Sequence, residues 1–230
     1  MALDLHVMPF WKWWAGQYTS PMERVFGGNV RRIGRAKGMM STTEAQQQDR
    51  DVHEMYADIL GTSPVWDANV SGSFSERFNY RALHSVRAYG AFLDHPPRTG
   101  LFRKPMESFS PGVDPSQHPS LRKVYSGAST TFPHLIHRQD NAGWYLPVDF
   151  PEPLPAAEGV NSAGSSVRLL SELERLSQKL GSTFTWKQLH DGKYQLDEND
   201  ELHDVLYGAA FLTHCARLSL HYKLPIIFDA

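Results

Sequence analysis

Six prolines fall between positions 96 and 119 (Pro96, Pro97, Pro105, Pro111, Pro115 and Pro119), and no other feature limits the fold of this chain more. Each fixes φ and removes a backbone donor, so this stretch cannot be a long helix or a central strand. It reads as a long connecting loop, the kind of segment that carries a lid or a partner-contacting arm. Pro119 suits the first position of a short helix running to Tyr125. A second proline-rich segment spans 147–155.

Regular structure must therefore lie in the intervals between these loops. Residues 2–8 alternate, with Leu3, Leu5 and Val7 on one face of a strand. The aromatic run Phe10–Trp14 reads as a plug over that strand's sheet. Ser41-Thr42-Thr43-Glu44 is a capping box, opening a helix that Gly61 ends in the left-handed conformation. Its apolar positions Val52, Met55, Tyr56 and Ile59 make one narrow stripe, so most of the helix faces water. Phe78, Ala82, Val86, Tyr89 and Leu93 predict a second helix that begins near Ser73 or Ser75 and ends before His95. Leu135–Gln139 and Trp144–Asp149 flank Asp140-Asn141-Ala142-Gly143 and predict a hairpin. Further helices are expected from about Ala163 to Leu180 and from the acidic tract at 197–201 to about Tyr222. Phe184–Leu189 is either one helical turn or a short strand.

Helices dominate, the strands are few, and strand and helix do not alternate regularly. The expected class is α+β: a helix-rich single domain with a small, mainly antiparallel sheet and long proline-rich loops, any weak boundary falling within 147–162. A chain of 230 residues buries close to ~70% of its unfolded surface, enough for a substantial core.

Charge and cysteine usage narrow the function classes. The net charge of −2 hides an asymmetry: residues 1–138 carry 16 basic and 12 acidic side chains, residues 139–230 carry 7 and 13. Bulk positive charge is absent, and a nucleic acid is not an expected partner. A single Cys excludes a disulfide scaffold and a Cys-x-x-Cys site. The longest nearly uncharged apolar stretch, Val205–Cys215, is about half of a membrane span. No export signal is read at residues 1–16, and the expected location is cytoplasmic.

Candidate site residues fall into several groups. On the last helix His203, Tyr207, His214 and His221 share a narrow stripe with Arg217 beside it, and on the second helix Arg81 and His84 lie on the polar side. Together Arg81, His84, Tyr207, His214, Arg217 and His221 could line a pocket between those two helices. Seven residues separate His214 from His221, about 10.5 Å along a helix, too far to share one metal ion. Arg31, Arg32, Arg35 and Lys37, among the glycines of 27–38, could hold an anion, although neither a P-loop nor a dinucleotide fingerprint is present. His134 and His137 point to opposite faces of the expected strand. Ser162–Ser166 reads as helix capping, the acids at 197–204 as first-turn residues, and Cys215 as a core thiol.

No metal and no cofactor is expected. The absence of a coherent catalytic signature, with six Trp and two proline-rich loops, favours a soluble, non-enzymatic protein of accessory or inhibitor type that binds another protein or a second copy of itself. The alternatives are a hydrolase-like small-molecule enzyme using the His/Arg pocket and an anion or nucleic-acid binder using residues 27–38.

Overall fold

The computed structural model describes residues 2–18, 40–63, 65–70, 73–97, 109, 113–136, 143–155, 162–182 and 184–229. Five strands, β1 (Ala2–Val7), β2 (Phe74–Asn79), β3 (Gly143–Leu146), β4 (Ala163–Ser165) and β5 (Ile226–Asp229), form one mixed sheet in the order β2-β1-β5-β3-β4. β5 runs antiparallel to both β1 and β3, whereas β3 and β4 are parallel. Among the described residues the helices are α1 (Phe10–Trp14), α2 (Thr42–Leu60), α3 (Tyr80–Asp94), α4 (Pro119–Tyr125), α5 (Pro133–Ile136), α6 (Ser166–Leu180), α7 (Trp186–His190) and α8 (His203–Tyr222), with a 3-10 turn at Pro115–Gln117. The architecture is α+β, as the sequence indicates.

Contacts divide the chain into two units. One comprises Leu3–Arg77, Asn141–Val167 and Arg217–Ala230. Its core joins the sheet to α1 and α2 through Met8, Phe10, Val52, Tyr56, Trp66, Trp144, Leu146 and Ile227. Phe10 lies at its centre, with ring centroids 4.4 Å from Trp144 and 5.0 Å from Trp66, edge-rich contacts that favour aromatic pairs. The aromatic run at 10–14 thus packs on the sheet as expected. α2 starts at the predicted capping box, where the Ser41 hydroxyl accepts from the Glu44 amide and Glu44 accepts from the Ser41 amide. It ends at Gly61 with φ 63°.

The other unit comprises Met1–Ala2, Phe78–Asp140 and Arg168–Ala216. Phe78 stacks on Phe211 at 4.5 Å, and Gly208 of α8 lies against the backbone of Ala82 in α3. A Cβ at Gly208 would sit 2.7 Å from the Ala82 carbonyl oxygen, so the close approach depends on glycine.

Three local expectations change. Residues 74–79 are strand, not the first turns of a helix, because they pair in the sheet beside β1, and α3 begins at Tyr80 behind the Asn79 cap. Residues 133–136 are a helical turn, not a strand: Glu172 of α6 accepts the His134 and Leu135 amides at 3.1 and 2.8 Å and so fixes that turn. Ala163–Ser165 is strand β4, which delays α6 to Ser166. The turn 137–142 and the basic segment 27–38, with Arg31, Arg32, Arg35 and Lys37, lie outside the described residues.

Candidate functional site

The expected His/Arg group is only partly assembled. Arg81 is committed to structure, its Nε 2.5 Å from Asp204 Oδ2 and its Nη1 2.6 Å from the Val113 carbonyl. His84 is 4% exposed, with its ring 4.6 Å from that of Tyr80, and both line a polar cavity of about 550 Å³ with Ser116, Gln117, Arg122, Tyr125 and Ser126. Tyr207, His214, Arg217 and His221 do not line it. Tyr207 packs in the aromatic core against Phe78 and Trp186, His214 is half-buried, Arg217 is exposed, and His221 is exposed with its ring edge-on to Tyr222. The stripe on α8 exists, but its members serve different surroundings.

The remaining candidates are structural. His134 is buried in the α5 turn. The Ser166 and Ser219 hydroxyls are 2.8 Å apart, Ser219 also donates to the Leu224 carbonyl, and Ser165 donates to the Val148 carbonyl. Cys215 is buried. Among the described residues no group of three or more His, Cys, Asp and Glu side chains is arranged to hold a metal ion, and no helix is long and apolar enough to cross a membrane.

Two acidic surfaces remain, and they differ in what their carboxylates do. Between residues 191 and 204 most acids are engaged locally. Asp191 pairs with Lys187 and Lys193, Asp197 and Asp200 accept the amides of Asn199 and Leu202, and Asp204 holds Arg81. On α2, Glu44, Asp51, Glu54 and Asp58 are all exposed. Helical geometry puts these four within about 80° of arc and spreads them over about 21 Å. Among the described residues no lysine or arginine pairs with Asp51, Glu54 or Asp58. Sequence reasoning treated this side of the helix only as solvated, although the spacing 44, 51, 54, 58 was there to be counted.

Beside that face lies a second cavity, about 400 Å³, lined chiefly by Asp49, Arg50, His53, Glu54, Trp66, Asp67 and Lys223. Asp49 is 2% exposed. Its Oδ1 accepts the Trp66 indole N–H at 3.0 Å, while Oδ2 is buried. Burial pushes the Asp49 carboxyl up to about 6, against the opposing effects of the Trp66 bond, the nearby Trp11 amide and the Arg50 charge. His53 lies edge-on to Trp66, and its Nε2 accepts the Val65 amide at 2.9 Å. Burial lowers its pKa, with Glu54 and the Trp66 backbone opposing, which keeps the ring neutral and able to accept that bond.

An exposed carboxylate face on which, among the described residues, Asp51, Glu54 and Asp58 have no paired lysine or arginine resembles, in charge alone, the phosphate edge of a nucleic acid. Residues 1–228 match a family described as Putative DNA-mimic protein. The chain belongs to that family. No curated protein and no solved structure matches it.

Membership corrects two expectations. The expectation of a protein-binding protein of accessory or inhibitor type that leaves DNA out, and the hydrolase alternative, are corrected: the family's description points to a mimic of DNA rather than to a hydrolase. The partner expectation, another protein or a second copy with nucleic acid unlikely, is corrected as well: the family's description brings DNA into the question of what the chain binds. A basic surface marks a nucleic-acid binder and gives no sign of an imitator of one.

Proposed function

We propose that this protein occupies the DNA-binding surface of a DNA-binding protein and so denies that surface to DNA. Family membership over residues 1–228 carries this reading. The α2 face supports it, because Glu44, Asp51, Glu54 and Asp58 offer fixed negative charge to the Lys and Arg side chains that otherwise contact phosphates.

The test is displacement. Proteins from the source cells that bind DNA-cellulose are passed over the immobilised chain, and the retained fraction is challenged with duplex DNA. The expected outcome is elution by duplex, with retention reduced at least about tenfold on the triple variant Glu44→Gln, Asp51→Asn, Asp58→Asn. Retention that duplex cannot reverse, and that the triple variant keeps in full, would reject the reading.

A further inference from the structure

Asp49 is an unusual residue for the buried side of a helix. At neutral pH a carboxyl group with a pKa near 6 is mostly ionised, yet neither oxygen has an ion-pair partner among the described residues, and its donors are the neutral Trp66 indole and the nearby Trp11 amide. A buried charge in that condition is costly unless a cation or donors reach it. The group lines a cavity of about 400 Å³, and the cavity's ionised lining has three carboxylates, Asp49, Glu54 and Asp67, against Arg50 and Lys223. Trp66 supplies an aromatic wall, fixed by its own bond to Asp49. Glu54 belongs both to this lining and to the exposed acidic face of α2, so the cavity opens on that face.

We infer that this cavity is the receptor for one arginine side chain of the DNA-binding partner, with the guanidinium directed at Asp49 and flanked by Trp66. The inference rests on the DNA-mimic reading and adds an anchor to it. The chemistry favours arginine over other cations: its planar fork suits a carboxylate, it is weakly hydrated, and it stacks on aromatic rings. Arginine is also abundant on surfaces built for phosphates, and buried arginine anchors carry a disproportionate share of interface affinity. Exposed Arg50 and Glu54 form the solvent side of the lining.

The experiment titrates N-acetyl-arginine amide, which carries one guanidinium and no other charge, into the full chain while following the assigned Trp66 indole N–H resonance. Saturable movement in the millimolar range is expected. N-acetyl-citrulline amide, of the same shape but neutral, should leave the resonance in place, and Asp49→Asn should weaken the arginine probe at least tenfold. A dispersed amide spectrum and a far-ultraviolet circular dichroism spectrum matching those of the parent chain certify that the variant is folded. Equal responses to the two probes, or an unchanged response in Asp49→Asn, overturn the receptor. If duplex-reversible capture succeeds while the Trp66 resonance ignores arginine, the receptor fails and the mimic stands. Binding of the arginine probe without any duplex-reversible capture overturns the assignment to a DNA-binding partner.

Discussion

Asp49 and Glu172 each hold a proton over a pH range in which the unfolded chain has lost it. Burial raises Asp49 from 3.8 to about 6 and Glu172 from 4.5 to about 7, the latter against its bonds to the Leu135 and His134 amides and the charges of Arg175 and Arg168. A raised native pKa means that the native state binds more protons than the unfolded one between the two values. Stability from each group is therefore fully present below about pH 4 and declines as pH rises toward 6 or 7, by an amount on the order of 3 kcal/mol per group. Urea denaturation of Asp49→Asn at pH 5 and pH 8 should show a smaller loss between the two than the parent chain shows. Parallel losses would mean that Asp49 is not the carboxyl responsible. Glu172 adds a structural role, and removing its two acceptor bonds in Glu172→Ala should expose the α5 turn. The position of Asp49 was legible: it precedes Val52 by three and Tyr56 by seven residues, which places an acid on the apolar stripe of α2. Its enclosure was not, because the groups that surround it come from α1 and from Trp66.

At the scale of elements, the sequence was readable where the signals are local. The capping box at 41–44, the left-handed Gly61 and Pro119 at a first helical position all specify their helix ends within one turn. It misled where a distant segment decides. Phe78 continues the apolar spacing of α3, so strand β2 looked like its first turn until pairing beside β1 was seen. The turn at 133–136 owes its shape to Glu172, 38 residues from His134. The crossing of α3 and α8 is another such case: nothing near Gly208 in sequence announces that the Ala82 carbonyl lies 2.7 Å from where a Cβ would be. Helix propensity alone would make Gly208→Ala stabilising by up to about 1 kcal/mol. The contact is with backbone, which cannot rotate away, so overpacking should dominate and the substitution should lower stability by about 1–3 kcal/mol. A urea midpoint for Gly208→Ala at or above that of the parent chain would show that the helices separate without cost.

For the whole molecule the relevant quantity is charge density. Duplex DNA carries about one charge per 1.7 Å, or about twelve over the 21 Å that α2 spends on four carboxylates. At about a third of that density, and with a net charge of only −2, the chain does not hold the condensed counterion layer whose release drives association with DNA. A mimic of this kind must recover affinity from shape and from anchors such as the Asp49 cavity. The two kinds of complex should therefore respond differently to salt. For one partner, affinity for duplex should fall by about 10³ or more between 50 and 200 mM salt if six or more phosphates are contacted. Affinity for this chain should fall by less than about 100-fold over the same interval, so that the chain displaces duplex more effectively as salt rises. Calorimetric titrations of the partner with each ligand at the two salt concentrations measure this. Equal slopes would mean that the chain presents a DNA-like charge density from surfaces beyond α2, and the Glu44→Gln, Asp51→Asn, Asp58→Asn variant would then leave most of its affinity intact.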